Sequence, residues 1–207
     1  MRRVALLAAV LAAAAAPQLA RADGDPASDY LLGSKVFLPF DAKFPPKQAA
    51  RLTALIGAAN RAGFPIRVAV IWSDYDMGSV TSLWRKPRTY AKFLGLELSF
   101  VYKQRLLVVM PNGLGFNWPK HDPAAEYRLI AKIPTGPRPA ELLTAASTAV
   151  SRLAAAGGVK VTAPEHVKTP AQHSTNDRLV IIAAVLGALA LAAAARFLLS
   201  RRPRRRA

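Results

Sequence analysis

Ile66-Arg67-Val68-Ala69-Val70-Ile71-Trp72 is apolar at every position but one. A strand with one wet face alternates apolar and polar residues. This one does not, which predicts a strand covered on both faces, inside a sheet flanked by helices. The flanks agree. Upstream, Leu52, Leu55, Ile56 and Ala59 recur at helical spacing between Pro45-Pro46 and the stop at Gly63 and Pro65, predicting a helix over 46–62. Before it, Val36-Phe37-Leu38-Pro39 reads as a short edge strand ended by proline, and Asp23 to Ser34 as a polar lead-in. Downstream, Ser73 to Ser79 reads as a loop, followed by a short helix to about Trp84. Pro87 starts another helix, with Tyr90, Phe93 and Leu94 on one face and Gly95 as its end.

Leu96, Leu98, Phe100 and Tyr102 alternate with polar residues, which predicts a half-buried strand. Lys103-Gln104 would then turn the chain into a second strand, Arg105 to Met110, and Asn112-Gly113-Leu114-Gly115 would turn it again. Asp122-Pro123 has the cap-then-proline form of a helix start. Pro139 opens the last helix of this region, with Leu142, Ala146, Ala149 and Leu153 on one face and Gly157-Gly158 as its stop. Strands alternating with helices predict an α/β fold. The expected form is a three-layer α/β/α sandwich with a mixed sheet of about four strands, plus one C-terminal transmembrane helix.

That last helix comes from the chain's end. Leu179 to Ala195 carries no charge, Arg178 precedes it, and five arginines lie between Arg201 and Arg206. An apolar helix of about 20 residues crosses a bilayer core, and positive flanks stay in the cytoplasm. At the other end, Arg2-Arg3, the apolar stretch Val4 to Ala16 and Ala20-Arg21-Ala22 have the parts of a secretory signal peptide. The expected organisation is a signal peptide over 1–22, an extracytoplasmic domain over 23–158, a tether over 159–177, a membrane span over 178–199 and a basic cytoplasmic tail over 200–207. The chain would be a single-pass protein of the plasma membrane with its N-terminal domain outside.

The formal charge of +17 mostly belongs to those ends. Residues 23–177 hold 19 basic residues against 12 acidic ones. That balance and the location speak against nucleic acid. They suit anionic headgroups or wall polymer. Zero cysteines exclude thiol catalysis, thiolate metal sites and iron–sulfur chemistry, and leave an exported domain to hold itself by its core. The Ala- and Arg-rich composition suggests a high-GC bacterial genome, and with the expected topology this places the domain in a bacterial cell envelope.

Residues 29–156 resemble the TPM domain family. The likeness lies in the entry Asp29-Tyr30 with its short strand, the helix over 46–62 and the strand Arg67 to Ile71. It continues through Arg105 to Val109, Gly113-Leu114-Gly115, Arg128 to Pro134 and the helix over 139–155. The resemblance implies an α/β/α sandwich in an exported, often membrane-anchored protein. It also implies acids at two places where this chain has none. The turn before the third core strand is Lys103-Gln104, and the residue after Gly-x-Gly is Phe116. Those acids are the family's candidates for metal binding or phosphatase chemistry.

The candidate site residues are few. Asp74 and Asp76 follow a buried strand, where open α/β sheets bind ligands, and could hold calcium or magnesium through oxygen. With Asp29 they form the only candidate catalytic set. Gly113 and Gly115 could let a ligand approach the backbone. Arg85, Lys86 and Arg88, beside Trp84 and Tyr90, could meet a phosphorylated ligand or headgroups. His121, His166 and His173 are scattered and do not form a zinc motif. No other cofactor is indicated. The pattern favours a non-catalytic binding or accessory module for an envelope protein or complex. The alternatives are a divalent-metal-dependent, phosphatase-like hydrolase and a binder of anionic wall polymer or headgroups.

Overall fold

The computed structural model describes residues 24–164. The predicted signal peptide, membrane span and basic tail lie outside them. Among the described residues, no helix is long and apolar enough to cross a membrane. The elements are α1 (Pro26–Gly33), β1 (Val36–Phe37), α2 (Pro46–Arg61), β2 (Ile66–Val70), α3 (Pro87–Glu97), β3 (Arg105–Met110), β4 (Gly113–Asn117), α4 (Ala124–Ile130) and α5 (Pro139–Ala156). The strands form one sheet in the order β1-β2-β3-β4. β1, β2 and β3 are parallel, and β4 returns antiparallel to β3.

Both faces of this mixed sheet are covered, as the apolar run at 66–72 requires. Val36, Val68, Leu107 and Phe116 sit in register across all four strands. They pack into one core with α2, α4 and α5. The next row, Phe37, Ala69 and Val108, faces the other core, built with Ala27 and Leu31 of α1 and Tyr90, Ala91 and Leu94 of α3. Arg67, the polar exception in β2, lays its guanidinium 4.1 Å over the Tyr102 ring.

Five expectations are corrected. The polar lead-in contains a helix, α1, capped by Asp25, whose carboxylate accepts the Ala27 N–H. The strand expected over Leu96 to Tyr102 is not one. α3 runs on to Glu97 and a 3-10 turn covers Leu98–Phe100. Leu94 and Leu98, four apart, are both buried, whereas Leu96 and Phe100 of the alternating set are exposed. Helical burial outweighed the period-two pattern, so Lys103-Gln104 is not a hairpin turn. The hairpin lies instead at Pro111-Asn112, between β3 and β4. Gly113 and Gly115, read as a turn, belong to β4.

Gly115 completes the row Phe37, Ala69, Val108 and has no side chain because α3 occupies that space. A Cβ there would run into the Pro87 carbonyl and Ala91. Gly95 serves the same purpose farther along α3, where a Cβ would meet the Asn117 side chain. Finally, the start of the predicted tether is not free. Val159, Val161 and Ala163 alternate inward against the α2–α5 core.

Two substitutions test this packing with opposite signs. Gly115→Ala should destabilise the fold by about 2 kcal/mol or more, since backbone blocks the new methyl. Gly57→Ala in α2, where a Cβ meets only the far end of the Arg61 side chain, should stabilise by about 0.5–1 kcal/mol. Urea unfolding of the two variants beside the parent decides both.

Candidate functional site

The parallel strands β1, β2 and β3 all end on one side of the sheet, and the candidate residues gather along that carboxyl edge. Its chemistry divides into acids used by the fold and bases that line a cleft.

Asp76 belongs to the fold. Its Oδ2 accepts the backbone N–H groups of Trp72 and Ser73, both at 2.7 Å, which ties the end of β2 to the 3-10 turns of Asp74–Leu83. Burial pushes its carboxyl above the ordinary aspartate range, against the pull of those donors. Asp74 is exposed, and its Oδ1 accepts the N–H of Tyr75. Asp29 is exposed in the first turn of α1. Among the described residues, no three His, Asp or Glu side chains come together as a metal-holding group. Asp29, Asp74 and Asp76 therefore do not assemble into the expected set.

The acid that does stand in an unusual place is Asp25. It is 2 % exposed, and both carboxylate oxygens lie 2.7 Å from the Tyr90 hydroxyl, which donates to it. Burial raises its pKa from 3.8 to about 6, opposed by the Tyr90 and Ala27 hydrogen bonds and aided by the nearby Glu97 and Asp29. The same burial and the adjacent carboxylate push the Tyr90 phenol up. The pair joins α1 to the first turn of α3. Its sequence signal is Asp25-Pro26, the same cap-then-proline form as Asp122-Pro123.

The bases build the cleft. Lys86, Arg88, Thr89, Asn112, Gly113 and Tyr127 line a cavity of about 480 Å³ between α3, the β3–β4 hairpin and α4. That size suits a small ligand or one group of a larger one. Arg88 is fixed by its stack over Tyr127, 4.3 Å from the ring centroid. Tyr127 is fixed in turn by two hydrogen bonds to the Phe116 backbone, at 2.9 and 3.1 Å. Lys86 reaches the Ser82 carbonyl at 3.0 Å, and the first turn of α3 has no side-chain cap. Arg85, at the rim, holds φ +59, a left-handed conformation uncommon outside glycine, and the Asn112 amide donates to its carbonyl at 2.6 Å. Thus Lys86, Arg88 and Gly113 share one site, Arg85 borders it, and Gly115 lies under α3. Thr89 follows Arg88 on α3, whereas Asn112 and Tyr127 have no signal in the sequence, because the hairpin and helix α4 bring them there from a distance.

Phe116, which follows Gly113-Leu114-Gly115, is a buried core residue. No protein-family model matches the chain, and neither the curated proteins nor the solved structures contain a significant similarity to it.

The acids differ in what their loss should do. Asp76→Ala should cost about 1–3 kcal/mol because two part-buried N–H groups lose their acceptor, whereas exposed Asp74→Ala should cost less than about 0.5 kcal/mol. Thermal unfolding of each variant, with and without millimolar calcium or magnesium, checks the difference, and neither ion should shift the parent. Asp25 gives a pH effect. Its folded pKa lies above the unfolded value, so the folded state binds the proton more tightly. Stability from this group is present below about pH 4 and lost as pH rises through about 6, by at most about 3 kcal/mol. Asp25→Asn keeps the cap and the Tyr90 bond but cannot titrate. The stability gap between parent and variant, measured by urea unfolding from pH 4 to pH 7.5, should widen in the variant's favour.

Proposed function

We propose that this chain is a non-catalytic binding module of the bacterial cell envelope, held to the plasma membrane by its apolar run at 178–199 with residues 23–158 outside. Its site is the basic cleft beside Lys86 and Arg88, and its ligand is an anionic group carried by an envelope protein. The observation behind this reading is that the cleft's cation is held in place. Arg88 is stacked on a tyrosine that is itself hydrogen-bonded to a sheet strand, so its charge is presented without a large ordering cost. The TPM-like reading of residues 29–156 rests on the resemblance in sequence, with which a mixed sheet flanked by helices is compatible. The metal-dependent hydrolase alternative lacks comparable support, since Asp76 holds β2 to the following turn and Phe116 is a core residue where the resemblance implies an acid.

Charge reversal tests the site. The parent and a Lys86→Glu, Arg88→Glu double variant, both shown to be folded by circular dichroism, are crosslinked in native membranes and recovered. The parent should bring down a reproducible envelope protein, and the variant should lose it. Equal recovery by both chains, or none by the parent, overturns the proposal. Salt-sensitive co-sedimentation of the parent with anionic wall polymer, and no protein recovered, would transfer the cleft to the polymer.

A further inference from the structure

The carboxyl edge carries more than the cleft. Phe40, in the loop after β1, is 100 % exposed, and Tyr75, in the turn after β2, is 90 % exposed. The two loops are neighbours, because they leave the adjacent parallel strands β1 and β2 at the same edge. Trp72 stands at the same edge, half-exposed, with its indole N–H donated to the Pro137 carbonyl at 2.9 Å. Exposed Lys43, Lys47 and Arg51 follow Phe40 around the start of α2, and Arg85, Lys86 and Arg88 lie farther along. Asp29, Asp41 and Asp74 are the exposed acids near them, fewer than these six bases, so the edge is net positive. Fully exposed aromatics among lysines and arginines have the composition of a membrane–water interface.

The opposite edge also exposes apolar side chains, Leu96, Phe100 and Val101. The path of the chain distinguishes the two. α5 ends at the opposite edge, where Gly157 sits against Phe64, just before β2. The chain does not leave there. Val159, Val161 and Ala163 carry it back along the α2–α5 core, and Ala163 lines one pocket with Gln48 and Arg51, in the first turns of α2, and Thr144. The first described residue is at the carboxyl edge too, for the Gly24 carbonyl packs against Gly78. The described chain therefore enters and leaves on the side of the exposed aromatics.

We infer that the carboxyl edge rests on an anionic lipid surface, with Phe40 and Tyr75 at the headgroup–acyl boundary and Lys43, Lys47 and Arg51 against the headgroups. The inference rests on the membrane-held reading above and adds an orientation to it. The cleft then opens at headgroup level, toward partners in the same membrane, and Leu96, Phe100 and Val101 point away from it.

The chain has no cysteine, so a single introduced thiol is a unique label site. Tyr75→Cys, Phe100→Cys and Ala188→Cys chains, each labelled with an environment-sensitive fluorophore, are reconstituted at full length into phosphatidylethanolamine–phosphatidylglycerol vesicles. Some vesicles carry brominated acyl chains. Emission should fall about twofold or more at positions 75 and 188 and stay unchanged at 100. High salt, or Lys43→Glu with Lys47→Glu, should relieve quenching at 75 and leave 188 as it was. Quenching at 188 without 75, or at 100 in place of 75, overturns the inference while the anchor stands. Quenching at 75 without 188 upholds the docked edge and removes the anchor. No quenching at any position removes both.

Discussion

Much of this structure depends on how closely α3 can lie on β4. Gly115 has no side chain where the Pro87 carbonyl comes down on the sheet, and Gly95 yields to Asn117 farther along. With the helix held this near, its first turn stands at the mouth of the β3–β4 hairpin. Three consequences share that placement. Arg88 reaches the face of Tyr127, Tyr90 reaches the carboxylate of Asp25, and the Arg85 carbonyl meets Asn112. A helix seated higher by one methyl group would loosen all three. The cleft is thus a by-product of sheet packing as much as a separate feature.

The acids illustrate how a fold absorbs groups that look chemical in sequence. Two carboxylates in a loop after a buried strand resemble a cation site. Here Asp76 serves two N–H groups at the strand's end, where the chain turns sharply and would otherwise leave part-buried donors unpaired. Asp25 does similar work for α1 while also accepting the Tyr90 hydroxyl. Each carboxylate therefore stabilises a junction between elements. The bases are different, since Lys86 and Arg88 remain at the surface and satisfy no buried donor or acceptor.

The layers and the buried strands were legible in sequence because the apolar runs at 66–72 and 105–110 and the helical faces of 46–61 and 139–156 are long. Short elements were not. Leu96 to Tyr102 fits a strand as well as a helix end, and only the burial of Leu94 and Leu98 together separates them. Gly113 and Gly115 carry a turn signature, and the reason for glycine in β4 lies on a helix 20 or more residues away. α1 stayed hidden although Asp25-Pro26 announces it, because the polar residues around it offer no apolar face of useful length. Within the site, Lys86, Arg88 and Gly113 were identifiable, but the tyrosine that orients Arg88 comes from α4 and has no local signal.

Asp25 also sets a limit on how far the amino end can be trimmed. The residue caps α1 and closes on Tyr90, yet it lies only two positions after the Asp23 expected to begin the processed chain. Cutting after Ala22 leaves this anchoring intact. A cut three residues later removes the cap, frees the Tyr90 hydroxyl in an apolar setting and releases α1 from α3. Such a chain would open at that corner and become a substrate for proteases. If the chain is cut at the expected position, a single carboxylate is what makes that cut harmless and one three residues later damaging.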